Sequence, residues 1–326
     1  MDYGGVHRAS RQERARSFKL QFLKPLELQI LMSQPQWYAE TYPMKLLVFS
    51  DLDETLLDGQ TYSWEAATNA LSALKERSAA LVLVSSKTLP EMIPIHDSLG
   101  LDTPFIVENG GGIALIPSAP INSYLSPELF ARGQRIGDRV LIPLGVQYND
   151  LVAALDEISE ETGITVRGFA SMSDDEVAAL TGLSVTDAAK ARQRSFDEPF
   201  VIAEPTYEKG LRIEASAATR GITAVRGGRF WHLIGHKGKG KAVSIVIEAF
   251  RKCFGTIHTV GLGDGPNDFP FLALVDSPFL LGSAQKKFHI PEEINRARLI
   301  LRPGPEGWHE AVTTLLSELE NEFTSG

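Results

Sequence analysis

The chain has 326 residues and a single cysteine, Cys253. No intrachain disulfide can form, a zinc site built from several cysteines is excluded, and a reducing, cytoplasmic setting is the simplest expectation. No apolar run approaches the ~20 residues a membrane span requires. The start is basic, with Arg8, Arg11, Arg14 and Arg16, but Lys24, Pro25 and Glu27 break the only apolar segment that follows, so a secretory signal is rejected. Positive charge is also scarce. The net charge is -9, and an acidic chain repels nucleic acid unless it carries a local basic patch. The one dense basic cluster, 236–241, is short. No internal repeat or low-complexity tract occurs. What remains is ordinary: 43% hydrophobic and 22% charged residues, in a chain long enough for two domains.

Residues 1–43 mix charges with scattered apolar residues, whereas a folded pattern begins at Met44. Two readings of that segment stand side by side. Either the start is assigned too far upstream, with Met32 or Met44 the true start, or a real extension carries a short docking helix. From Met44, Lys45–Ser50 is an apolar run ending in acidic residues, which predicts a buried parallel strand with its C-terminal end at a site. Ser63 reads as an N-cap before Ala67, Ala70, Leu71 and Leu74 at helical spacing. Segments 80–84 and 104–107 are further strands, and the alternation predicts an α/β fold with a doubly wound parallel sheet. From about 117 to 228 the pattern changes. Ser173 and Glu176 form a capping box, Thr186 caps another helix, and 198–202 and 211–225 are strand-like, with a hairpin near Thr219-Arg220-Gly221. After Phe230 the alternation returns with a helix over 240–253 and a strand at 257–260. The expected organisation is a discontinuous core, 44–116 and 229–326, with an α+β cap inserted over 117–228.

Four constellations carry chemistry. Asp51 and Asp53 stand two residues apart just beyond the first strand. Unpartnered buried carboxylates are expensive, but at the C-terminal edge of a parallel sheet they open into the usual ligand crevice. One carboxylate there can attack phosphorus to form an aspartyl-phosphate, and a second can protonate the leaving oxygen and then activate water. Taken alone, Asp-x-Asp is as readily a cap or turn. Gly261-Leu-Gly-Asp264-Gly-Pro-Asn267-Asp268 follows another strand. Its acidic oxygens suit Mg²⁺, which takes a few carboxylates plus water and phosphate oxygens, although Gly-Asp-Gly-Pro is also good turn chemistry. A dinucleotide fingerprint fails, because Pro266 sits where its third glycine belongs.

Gly235-His-Lys237-Gly-Lys239-Gly-Lys241-Ala242 nearly spells a P-loop, yet Ala242 replaces the hydroxyl that loop offers to magnesium. One lysine at a helix start, holding a phosphoryl group by charge, is the better reading, with Lys237 and Lys241 a solvated basic loop. Ser85-Ser86-Lys87-Thr88 follows the second strand, where hydroxyls and N–H groups at a helix start bind phosphate or simply cap the helix.

The order of these pieces resembles the haloacid dehalogenase (HAD) superfamily. Within it the chain is similar to the mannosyl-3-phosphoglycerate phosphatase family over about residues 44–320. The closer likeness rests on Ser85-Ser-Lys-Thr88, Glu108-Asn-Gly110, Gly168-Phe169 followed by Thr181-Gly-Leu183, Glu198-Pro-Phe200, Gly228-Arg-Phe-Trp-His232 and Lys239-Gly-Lys-Ala-Val243. The resemblance implies a Rossmann-like core with an inserted cap, a Mg²⁺ cofactor and a small phosphorylated sugar-glycerate as substrate. Asp51 would be nucleophile and metal ligand. Asp53 would be general acid/base and a ligand through its carbonyl. Ser85 would bind phosphate, Lys239 would neutralise the phosphoryl group and Asp51, and Asp264 would ligate the metal with support from Asn267 and Asp268. Glu54 departs from the pattern, since many members have glycine there. An anionic glycerate calls for Lys or Arg; Lys87, Asn109 and Arg229 are the substrate candidates, with Arg167, Arg194 and His232 further ones. A dehalogenase needs no Asp53, and a P-type ATPase carries membrane spans. A phosphomutase would keep Asp53 and stays open. A non-catalytic relative would be expected to lose one of Asp51, Asp53, Lys239 or Asp264, and all four are present.

Overall fold

The computed structural model describes residues 44–235, 238–282 and 289–325. The expectations for residues 1–43 and for Lys237 lie outside them. In chain order the main elements are β1 (Lys45–Ser50), α1 (Thr68–Glu76), β2 (Ala80–Leu83), α2 (Leu89–Ser98), β3 (Phe105–Val107), β4 (Gly112–Leu115), β5 (Gln134–Ile136), β6 (Arg139–Pro143) and α3 (Tyr148–Thr162). Then follow β7 (Val166–Gly168), α4 (Asp174–Thr181), α5 (Val185–Ala191), β8 (Asp197–Ile202), α6 (Tyr207–Thr219), β9 (Ile222–Arg226) and β10 (Trp231–Gly235). The chain closes with α7 (Gly238–Phe254), β11 (Ile257–Gly263), β12 (Ser277–Leu281), β13 (Arg298–Ile300) and α8 (Gly304–Ser325).

β1 is buried along its whole length because both faces of its sheet are covered. Leu46 and Val48 pack with Ala70, Leu74 and Trp308 on one side, while Leu47 and Phe49 meet Val243, Val246 and Phe250 of α7 on the other. The parallel sheet runs β13-β12-β11-β1-β2. The parallel bridge between Val84 and Ile106 continues it to β3, from which an antiparallel sheet β3-β4-β6-β5 extends. A second antiparallel sheet, β7-β8-β10-β9, has its own core of Leu151, Leu155, Phe200, Ile213 and Leu233. This is the HAD architecture: a central parallel sheet between helices, with antiparallel sheets added as the cap. Among the described residues no helix is long and apolar enough to cross a membrane.

Three expectations change. Segment 211–225 is not a hairpin: α6 ends at Thr219, Gly221 takes φ +70, and β9 begins after it. The buried positions Gly210, Ile213, Ser216 and Ala217 recur at helical spacing, and the Thr206 hydroxyl caps the helix by accepting from the Lys209 N–H at 3.2 Å. The cap of α5 is Ser184 rather than Thr186. The antiparallel sheets also cross the expected edges of the insertion. β5 and β6, inside the expected 117–228, pair with β4, whereas β10, outside it, pairs with β8 and β9. A strand's partner is a long-range property that its own residues do not announce. The capping box of Ser173 and Glu176 forms as expected.

Candidate active site

β1 and β11 lie side by side and parallel, so their C-terminal ends share one edge. The Asp51 N–H donates to the Leu262 carbonyl at 2.9 Å, which extends that pairing and sets Asp51 beside the 261–268 loop. Behind it the Ser50 hydroxyl donates to the Asp51 carbonyl at 2.7 Å and accepts from the indole N–H of fully buried Trp308 at 2.9 Å. The nucleophile position expected from sequence therefore rests on a rigid support from α8.

Lys239, in the first turn of α7, is 0% exposed. Its Nζ lies 2.6 Å from Asp51 Oδ1 and 2.6 Å from Asp268 Oδ1. Asp268 Oδ2 accepts from the Asp264 and Gly265 N–H groups at 2.8 and 3.0 Å. Both Asp268 oxygens are thus engaged in holding the lysine and the loop. Burial pushes the Asp51 carboxyl well above the usual range; Lys239 draws it back, and Asp268, Asp264 and Asp53 push it up. Burial works against the Lys239 ammonium, but Asp268 and Asp51 overcome that and hold it above its ordinary range.

Asp51, Asp264 and Asp268 each present a carboxylate oxygen within 4.8 Å of the others. The Thr55 hydroxyl lies between the first two, 3.5 Å from Asp51 Oδ2 and 3.3 Å from Asp264 Oδ1. A set of hard oxygen donors with no sulfur or imidazole fits a divalent cation of the magnesium type. With Asp268 occupied by Lys239 and backbone, Asp51 and Asp264 are the carboxylates placed to hold it. Thr55, to which the motif alone assigned no role, could have been noticed as the hydroxyl closing Asp51-x-Asp53-x-Thr55.

Asp53 faces the same cleft, and its Oδ1 pairs with Lys87 Nζ at 2.8 Å. Lys87 lies 5.0 Å from the Tyr62 ring centre. Burial disfavours its charge, yet Asp53 and Glu91 beside it keep the ammonium above its ordinary range. Ser85 is 1% exposed, and its hydroxyl accepts from the Lys87 N–H at 3.2 Å. It does not cap α2; Thr88 does, in a reciprocal capping box with Glu91. Glu54 sits at φ +57. A left-handed backbone costs a non-glycine residue about 1–2 kcal/mol.

The remaining substrate candidates separate. Arg229 lines the cleft, but its guanidinium donates to the Thr181 and Gly59 carbonyls at 2.5 and 2.7 Å, joining cap to core. Asn109 is 1% exposed, with its amide nitrogen on Asp197 at 2.8 Å and its oxygen accepting from Asn267 at 3.2 Å. Arg167 pairs with Glu176 at the surface. Glu108, Asn109 and Gly110 are three consecutive left-handed residues. A Cβ at Gly110 would fall 2.3 Å from the Gly238 carbonyl oxygen, so only glycine lets this loop lie against the start of α7. The Glu108 carboxylate accepts from the Ser195 and Phe196 N–H groups, a link across the cap boundary with no counterpart in the motif reading.

Residues 48–132 match a family model described as haloacid dehalogenase-like hydrolase. A protein of Methanococcoides burtonii named glucosyl-3-phosphoglycerate/mannosyl-3-phosphoglycerate phosphatase is 37% identical over 281 residues, covering 85% of this chain and 100% of its own length. This chain belongs to that phosphatase family. Another relative of the same name, from Persephonella marina, is 35% identical over 289 residues, 84% of this chain and 98% of its own. Solved structures place the family's fold. A Thermoplasma acidophilum protein superposes with a TM-score of 0.56 at 17% identity, covering 83% of this chain and 98% of its own. A HAD subclass IIB sugar phosphatase does so with 0.53 at 16% identity, covering 83% and 99%. The chain is thus a HAD hydrolase of phosphatase type, from a superfamily that is generally metal-dependent.

Proposed function

We propose that the protein is a Mg²⁺-dependent phosphomonoesterase that converts mannosyl- or glucosyl-3-phosphoglycerate to the glycosylglycerate compatible solute through an aspartyl-phosphate on Asp51. The observation that carries this reading is the placement of Asp51 at the cleft with the buried Lys239 ammonium 2.6 Å behind it and Asp53 on the same wall. Mg²⁺, held by Asp51, Asp264 and the Asp53 carbonyl and supported by Asn267 and Asp268, would supply the charge that lets a carboxylate approach a phosphate. Asp51 attacks phosphorus and Asp53 gives its proton to the departing glycerate oxygen. Asp53 then takes a proton from water, whose oxygen attacks phosphorus, frees inorganic phosphate and restores the Asp51 carboxylate. Ser85 and Lys239 hold the phosphoryl oxygens. Lys87, paired with Asp53 in the cleft, is the cation within reach of the substrate carboxylate. A cytoplasmic site of action goes with the lone cysteine.

The names of the two relatives are what narrow the substrate to a glycosyl-phosphoglycerate. The deciding assay is phosphate release, with and without Mg²⁺, from both glycosyl-3-phosphoglycerates and a panel of simple sugar phosphates. A strong Mg²⁺-dependent preference for either glycosyl ester is expected. Even activity across the panel removes the narrow substrate. Phosphoryl movement to a second sugar hydroxyl without release would make the protein a mutase.

A further inference from the structure

The cap-side lining of the cleft is a wall poor in free positive charge. Arg229 is engaged with two carbonyls. Arg194 donates to the Ala191 and Ser86 carbonyls at 2.8 and 2.9 Å and lies 3.5 Å from Asp197. What the wall offers instead is the Phe169–Phe230 pair, in edge contact at 5.1 Å, together with Gly227 and one imidazole, His232. His232 Nδ1 lies 3.0 Å from each oxygen of Asp197, which is 0% exposed. Burial would raise the Asp197 carboxyl, but His232, Arg194 and Asn109 hold it below the usual range. A carboxylate only accepts, so Nδ1 carries the proton. Nε2 makes no hydrogen bond among the described residues, and the ring lines the cleft. A Cβ at residue 227 would lie 2.9 Å from Nε2, so glycine there leaves that edge of the ring clear.

We infer that His232 determines recognition of the sugar, its Nε2 accepting a hydrogen bond from a hexose hydroxyl, and that Asp197 is the positioning residue that fixes its orientation and tautomer. The inference rests on the glycosyl-phosphoglycerate reading and adds the residue that separates sugar from glycerate. The anionic half of the substrate meets Lys87 on the core side. The neutral half meets an acceptor and ring faces on the cap side, a combination suited to hydroxyl and C–H groups. Asp197 also receives the Asn109 amide, whose oxygen receives Asn267 of the 261–268 loop. One hydrogen-bonded chain of side chains therefore runs from the imidazole on the cap wall to the loop beside Asp264.

The test compares wild type, His232→Ala, Asp197→Asn and Gly227→Ala on the preferred glycosyl-3-phosphoglycerate and on 3-phosphoglycerate. The latter keeps phosphate and carboxylate but lacks the sugar, and serves as substrate or as competitive inhibitor. His232→Ala should raise KM for the glycosyl ester about 10-fold, the loss of one buried hydrogen bond, with kcat nearly unchanged and 3-phosphoglycerate unaffected. Asp197→Asn places an amide donor on Nδ1 and moves the proton to Nε2. It should give the same KM rise, show the Nε2–H tautomer in ¹⁵N–¹H spectra where wild type shows Nδ1–H, and add nothing on top of His232→Ala. Gly227→Ala, which crowds the ring without altering its chemistry, should split the two compounds in the same direction. An equal loss for both compounds, or no change for either, overturns the inference. Wild type inactive on both glycosyl esters would instead overturn the substrate reading, while the tautomer spectrum still tests Asp197.

Discussion

Two clusters of buried acids lie within this molecule, each gathered around one buried cation. Asp51 and Asp268 hold Lys239, with Asp264 close beside the two carboxylates; Glu108, Asp197 and Glu198 surround Arg194 at the cap boundary. Their chemistry on paper is the same, and what separates them is access. Asp51 and Asp264 retain 5% and 6% exposure and line the cleft, whereas Glu108, Asp197 and Glu198 are at 1%, 0% and 0%. The oxygens of the second cluster face inward, to the N–H groups of Ser195, Phe196 and Ala170, to Asn109 and to His232. Burial and shifted proton affinity occur in both clusters. A carboxylate oxygen that borders the cleft occurs in one, and there we place the proposed reaction.

The largest effect should come from removing that oxygen. Asp51→Asn is expected to lower phosphate release by at least about 10³-fold while the melting temperature, read by circular dichroism, falls little, because burial already disfavours the Asp51 charge. Near-wild-type turnover would place the chemistry elsewhere and dissolve the contrast. Next comes the cation. Lys239→Met leaves Asp51 and Asp268 facing each other without compensation, and breaking a buried pair from one side costs about 3–5 kcal/mol. Urea unfolding should report that loss, and adding Asp268→Asn should recover part of it. If the double variant is no better than the single one, Lys239 acts through packing rather than charge.

The smallest effect sharpens the boundary cluster. Burial pushes the Glu108 carboxyl from an ordinary 4.5 up to about 7, against the pull of Arg194 and the Phe196 and Ser195 N–H groups. The folded state therefore keeps a proton that the unfolded chain releases. Stability from this group is fully present below pH 4.5, declines as pH rises, and is lost above about 7. At ~1.4 kcal/mol per unit the window corresponds to about 3 kcal/mol. Glu108→Gln should flatten the fall in unfolding free energy between pH 5 and pH 7. An unchanged slope in that variant would assign the pH dependence to other groups.

Much of the cluster proposed as catalytic is legible in the sequence, and the reason is local. Asp51, Asp53, Asp264 and Asp268 each sit just after a strand, and Lys239 opens a helix. The substrate candidates fare differently. Arg229 bridges cap and core, and Asn109 joins Asp197 to Asn267. In the sequence His232 is one polar candidate among several, and only Asp197 behind it sets it apart. No residue beside Asn109 or His232 in the chain indicates that their partner is Asp197, since each lies tens of positions away.

By itself the sequence determined the α/β class, the alternation of strands and helices in the core, and the acidic motifs that end its strands. A parallel sheet brings the C-terminal ends of all its strands to one edge, so a motif placed after any strand arrives at the same cleft. The tertiary structure alone decided which strands pair in the antiparallel sheets, which carboxylates line the cleft, and which cations are already engaged. Those outcomes depend on hydrogen-bond partners distant in the chain, and local pattern carries no information about them.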